Sequence, residues 1–244
     1  MATEVPRPAF YALAPGGWRD YVTLLHPPYT LWHLSYVVVG ASLAPTLSVA
    51  HLLATLAAFA LAVGIGAHAL DELNGRPLGT RISSQTLLAL SMLSIGGAAA
   101  IGIYGAVVVD PWIGAFVGAG VFIVAAYNLE LAAGRFHSDA WFALAWGAFP
   151  VLTAYFAQAG EIGADAVLAA VYACALSLAQ RRLSTPVRDA RRRVVAISGR
   201  IDHRDGTSDP VTRETLTAAP ESALRTLTVA SIALAVALLI MRLS

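Results

Sequence analysis

Three observations predict an all-α fold, a polytopic transmembrane bundle of about seven helices with a cytoplasmic N-terminus. The 244 residues are 57% hydrophobic and only 13% charged, and the mean hydropathy of +0.67 lies well outside the range of a soluble domain. The apolar residues gather in runs near the roughly 20 residues that a helix needs to cross a hydrocarbon core of about 30 Å. The 16 basic residues, all arginine, collect in alternate connections. Fifteen of them fall in the N-terminal segment, the second, fourth and sixth connections and the first turn of the seventh helix, which the positive-inside rule assigns to the cytoplasmic side. A multi-pass protein of the cell membrane is therefore expected.

Residues 1–24 carry two arginines with several Pro and Gly and no apolar core, so they predict an interfacial segment rather than a cleavable leader. Trp18, Tyr21, Tyr29 and Trp32, set around Pro27 and Pro28, read as an aromatic belt. The first two spans are expected at Tyr29 to Leu47 and Ser48 to Leu70, with a tight turn near Pro45. The third and fourth run from Gln85 to Val109 and from Pro111 to Tyr127, where proline suits a first helical turn. Ala140 to Gln158 and Ile162 to Leu183 supply the fifth and sixth. Residues 25–183 thus form six helices with polar loops, 184–221 a basic cytoplasmic loop, and 222–244 the seventh helix.

Three polar connections share the cytoplasmic side: Asp71 to Ser84, Asn128 to Asp139, and Gln180 to about Glu221. The opposite turns are short and hold no arginine before Arg242. Charge on one rim of an apolar bundle suits a substrate with a charged head and a greasy tail. A formal net charge of +1 gives no pull on nucleic acid. The chain contains no GxSxG, phosphate-binding loop, HExxH or zinc-spaced Cys/His set. The lone Cys174 excludes an internal disulfide and reads as a packing residue. His26, His33 and His51, without common spacing, are expected to pack or to lie at the interface.

His68, Asp71 and Glu72 stand at i, i+3 and i+4, hence on one helix face, with Asn74, Arg76 and Arg81 just beyond. Acids that merely mark the water boundary are the plainer explanation of each taken singly. The fourth connection holds Tyr127, Asn128, Glu130, Arg135, His137 and Asp139. Glu130, between Leu129 and Leu131, reads as an acid at membrane depth that needs a partner such as Arg135. Arg181 and Arg182 either snorkel to head groups or face inward as phosphate ligands.

HPPYTLWHLSYVVVGASLAP (His26 to Pro45), AHALDELNGRPLGTR (Ala67 to Arg81), the segment from Tyr127 to Gln158, and RRLSTPVR (Arg181 to Arg188) together resemble the UbiA superfamily of membrane prenyltransferases. The resemblance implies an all-helical fold with its chemistry at the loops after the second, fourth and sixth helices. It implies a prenyl diphosphate or related isoprenoid lipid as partner, and transfer of the prenyl group to an acceptor. It also implies magnesium held by Asp71 and Glu72, with Glu130 beside them as a third catalytic carboxylate. His68, Asn74, Arg76, Arg81, Tyr127, Asn128, Arg135, His137, Arg181 and Arg182 would then bind substrate.

The match departs from the family at several points. Ala67 stands where the first aspartate motif has Asn, His68 where it has Asp or Gln, and Gly75 where it has its last Asp. The second aspartate motif is replaced by SLAQRR, Ser177 to Arg182. A terpene cyclase of the same type and a non-catalytic isoprenoid- or lipid-binding homologue are the alternatives. A surviving site requires Asp71, Glu72 and Glu130 to converge on one cavity.

Overall fold

Nearly all regular structure in the computed structural model, which describes residues 7–244, is helical. A short α1 (Trp18–Leu24) leads into α2 (Pro27–Leu43), and α3 (Val49–Leu73), α4 (Ser84–Val108) and α5 (Ile113–Asn128) follow. The second half comprises α6 (Asp139–Ala159), α7 (Ala164–Arg192) and α8 (Arg213–Leu243). Helices α3, α4, α6, α7 and α8 are long and apolar enough to cross a membrane, while α2 and α5 have 17 and 16 residues. An antiparallel hairpin of β1 (Arg200–Asp202) and β2 (Ser208–Pro210) is the one departure from helix among the described residues.

Local chemistry sets the helix ends. Pro27 and Pro28 open α2, where a missing N–H costs nothing. Ser83 Oγ accepts from Thr86 N at 3.1 Å to start α4, and Ser138 Oγ accepts from Trp141 N at 3.3 Å to start α6. Gly160, at φ +71°, closes α6 in the left-handed conformation that glycine adopts freely.

Helix α7 continues past Pro186 to Arg192, well beyond the expected end at Leu183, and α8 begins at Arg213 rather than near Ala223. The two helices hold each other at this depth. Arg191 grips Glu221 through two bonds, Nε to Oε1 at 2.5 Å and Nη2 to Oε2 at 3.0 Å. Arg213 donates to the carbonyls of Ala190 and Val194 at the end of α7. The basic loop is correspondingly shorter than the sequence suggests.

Helix α2 packs between α6 and α8, with Trp32, Tyr36, Val151 and Leu224 in one core cluster. A Cβ at Gly40 would collide with the backbone carbonyl of Val151, so α2 and α6 meet backbone to backbone there. Trp32 is fully buried and donates Nε1–H to Tyr36 Oη at 2.5 Å. Of the expected aromatic belt, Trp18 and Tyr21 are exposed, whereas Trp32 and Tyr29 turn inward. Large apolar side chains such as Leu93, Val107 and Leu168 cover the outside of the bundle.

Candidate functional site

Two stretches of π-helix, Ala60–Ala67 within α3 and Leu144–Ala148 within α6, prepare the site. A widened turn displaces carbonyls from the regular ladder, and such turns gather at functional sites. His68 Nδ1 donates to the Gly64 carbonyl at 3.1 Å, and His33 Nδ1 to the Trp146 carbonyl at 2.8 Å. Each π stretch thus orients one histidine.

Both histidines line a cavity of about 370 Å³. Its floor is apolar, built from Val63, Ala67, Phe142 and Trp146. From α7 come Gln180, Arg181, Ser184, Arg188 and Arg192, at helical spacings that put them on one face. Asp71 and His68 of α3 face the same space, as do Tyr127 and Asn128 of α5 and Glu130 and His137 beyond it. Residues Pro8 to Tyr11 cover one side, tied to α7 by Arg192 Nε donating to the Pro8 carbonyl at 3.1 Å.

Of the expected site residues, His68, Asp71, Asn74, Tyr127, Asn128, Glu130, His137 and Arg181 come together here. Arg181 is fixed by Asp139 Oδ1 at 3.1 Å and Tyr127 Oη at 2.7 Å, and it lies over the Phe142 ring. His137 stacks on Tyr127 with ring centres 4.3 Å apart. Asn74 Nδ2 donates to the Asn128 carbonyl at 3.2 Å, joining two of the polar loops.

Other expected residues serve elsewhere. Glu72 is completely buried; its Oε2 accepts from Leu78 N at 2.9 Å, and its Oε1 accepts from Thr80 N and Thr80 Oγ1, each at 2.8 Å. Its carboxylate is consumed in shaping the loop after α3. Arg76 braces the same loop through the Ile82 carbonyl and Ser84 Oγ. Arg81, Arg135 and Arg182 are exposed and do not line the cavity. Glu130 does line it but is exposed, in a left-handed residue just past the end of α5, and it forms no ion pair with Arg135 among the described residues. It is not the buried acid that its leucine neighbours suggest.

His26 and His33, expected to pack or to lie at the interface, both line the cavity, as do Tyr11, Tyr29, Arg188 and Arg192. The run Gln180, Ser184, Arg188, Arg192 carries a readable i+4 signal, but the expected end of the sixth span at Leu183 leaves Ser184, Arg188 and Arg192 outside the helix. Among the described residues, three buried polar atoms lack a hydrogen-bond partner, and two of them, His26 Nε2 and Gln180 Oε1, belong to this cavity. Buried polar groups are nearly always paired, so two orphans that share one cavity mark a polar wall open to a hydrogen-bonding partner. No family model, curated protein or solved structure matches the chain.

The donor set also bears on magnesium. Among the described residues no three His, Cys, Asp or Glu side chains are grouped to hold a metal. With Glu72 committed, Asp71 and Glu130 are the implied carboxylates left on the cavity wall. Magnesium commonly uses one or two carboxylates and completes its shell with substrate phosphates and water. An ion that entered with a phosphorylated ligand would meet Asp71 and Glu130 on the cavity wall, rather than the expected Asp71 and Glu72.

A second cavity of about 150 Å³, almost entirely apolar, lies between α3, α4, α5 and α6 and shares Val63 and Trp146 with the polar one.

Proposed function

We propose that this chain is a multi-pass, UbiA-like protein of the cell membrane. In this reading it binds an isoprenoid diphosphate at the cytoplasmic mouth of the bundle and transfers the prenyl group to an acceptor. The observation that carries the reading is the row Arg181, Arg188 and Arg192 opposite Asp71, above a floor of Val63, Ala67, Phe142 and Trp146. Guanidinium groups match phosphate oxygens, and an apolar floor accepts the isoprenoid chain. The arginine distribution and the apolar exterior support the membrane setting.

Ionisation of an allylic diphosphate leaves negative charge on the leaving group and a cation on the chain. The arginines stabilise the first, being fixed in place before the bond breaks. The rings of Tyr29 and Trp146 stabilise the second, and with Tyr127 and Phe142 their bulk keeps water away. Magnesium, held by Asp71 and Glu130, would add charge neutralisation at the diphosphate.

The test uses purified protein in nanodiscs with geranyl, farnesyl and geranylgeranyl diphosphates, with and without magnesium. Saturable binding and diphosphate release are expected, both weakened by Asp71→Asn and Arg188→Ala. Absence of binding and turnover for every chain length removes the reading. Diphosphate release with a hydrocarbon product in the absence of any acceptor identifies a cyclase instead. A non-catalytic isoprenoid- or lipid-binding role is the second reading, favoured by the commitment of Glu72 to its loop; binding without diphosphate release selects it.

A further inference from the structure

His26 and His68 stack with ring centres 4.1 Å apart and planes 12° from parallel, and both line the polar cavity. Their hydrogen-bond partners fix opposite tautomers. His26 Nδ1 lies 2.7 Å from Tyr11 Oη. Burial holds the Tyr11 phenol well above its ordinary range, so it keeps its proton, and His26 Nδ1 is the acceptor that the phenol meets among the described residues. Burial and the neighbouring His68 push His26 well below the usual imidazole range, so its ring is neutral. A neutral ring that accepts at Nδ1 carries its hydrogen on Nε2. That N–H is the buried donor without a partner.

His68 is the reverse. A backbone carbonyl only accepts, so His68 Nδ1 carries the hydrogen that goes to Gly64, and Nε2 is left with a bare lone pair. The structure gives that lone pair no donor among the described residues. One stack therefore presents a single donor and a single acceptor, in a cavity whose arginines lie on a different element.

We propose that this histidine stack is a binding site for a hydroxyl-bearing compound, an alcohol or phenol, whose oxygen accepts from His26 Nε2–H and whose own hydrogen goes to His68 Nε2. A carboxylate or phosphate offers only acceptors and leaves the His68 lone pair unmet. An ammonium offers only donors and leaves His26 unmet. A hydroxyl group satisfies both, and at the buried His26 Nε2 an unpaired donor is costly enough to discriminate. The unpartnered Gln180 Oε1 is a further acceptor on the same wall.

Resting on the prenyl-transfer reading, the bound hydroxyl compound is the acceptor. The allylic C–O bond breaks with its electron pair leaving on diphosphate. The acceptor oxygen supplies the pair for the new C–O bond, and its proton passes to His68 Nε2. The product is an ether.

The experiment titrates 4-fluorophenol and fluorobenzene separately into the nanodisc-reconstituted protein and follows fluorine NMR. His26→Phe and His68→Phe keep an aromatic ring in the stack and remove the polar atom. Each is expected to weaken 4-fluorophenol about tenfold, the loss of one buried hydrogen bond, and to leave fluorobenzene unchanged. Tyr11→Phe, which frees the His26 tautomer, is expected to weaken the phenol severalfold.

Equal affinities of wild type and both histidine variants for the phenol overturn the proposal. So does parallel loss of both probes, since the histidines then only shape the cavity. Geranyl diphosphate titrated into the same proteins separates the two readings. If wild type fails to bind it while phenol discrimination persists, the prenyl reading falls and the hydroxyl site stands; the converse result removes the hydroxyl site alone.

Discussion

Asp71 and Glu72 are neighbours in the chain with different duties: Asp71 faces the polar cavity, while Glu72 lies fully buried with both carboxylate oxygens occupied by Leu78 and Thr80. One step along a helix turns a side chain by about 100°, so adjacent acids rarely share a site unless both lie near its edge. Here the second acid holds the loop that delimits the site of the first.

Replacing Glu72 by Gln sets an amide N–H₂ against backbone donors of its own kind. A loss of about 2–4 kcal/mol in stability is expected, the cost of an unmet buried donor together with loss of charge-assisted bonds. Thermal unfolding in detergent measures it. Arg182→Ala, at an exposed position off the cavity, is the control and should move stability by no more than about 0.5 kcal/mol.

Arg188 lines the cavity, whereas Arg182, less than two turns away on α7, does not. Arg188→Ala should weaken geranyl diphosphate about 10- to 100-fold, and Arg182→Ala should leave it unchanged, as expected where a charge-assisted contact is lost in one case only. Isothermal titration in nanodiscs reads both. Equal effects would mean that the arginines act only through the overall field of the rim.

Helices α6 and α7 meet at Gly147, where an added Cβ would lie 2.6 Å from the Ala173 carbonyl oxygen and 2.9 Å from Ser177 Oγ. Backbone cannot yield as a side-chain tip can, so Gly147→Ala should cost about 1–3 kcal/mol. Gly118, inside α5, has open space around its Cβ position, and Gly118→Ala should be neutral or stabilising by up to about 1 kcal/mol. Thermal midpoints of the two variants against wild type decide it.

His26 is faced by Tyr11, Tyr29 and His68, with Arg188 and Arg192 also acting on it, and burial holds it well below the usual imidazole range. The unfolded chain takes up a proton near the ordinary value of about 6.5, which the folded chain resists. Stability therefore falls as pH drops below about 6.5, with a contribution of at most about 1.4 kcal/mol per pH unit from this one group. Thermal midpoints from pH 8 to pH 5 should decline in wild type and decline less in His26→Phe. Equal slopes would exclude His26 as a source.

Much of the site was legible one residue at a time. The spacing of His68 and Asp71, the cluster from Tyr127 to His137 and the pair at Arg181 all pointed to the rim, and eight of the expected residues share its cavity. Glu72 misled because its helical spacing from His68 predicts a shared face, whereas its carboxylate turns to Leu78 and Thr80; Arg76 and Arg81 misled because the turns at Gly75, Arg76 and Gly79, all at positive φ, redirect the chain. Tyr11, His26 and His33 carried no periodic signal; they enter the site through partners far away in sequence.

The sequence alone determined the apolar helices, the polar loops between them and the alternate connections in which arginine gathers, because hydropathy and charge are local properties that act residue by residue. Tertiary structure decided which polar groups meet. The two π stretches aim His68 and His33, Glu221 and Arg213 hold the end of α7 in place, and the N-terminal segment brings Tyr11 onto His26. Those outcomes depend on contacts between distant segments, and in a close-packed interior such contacts select one facing for each side chain.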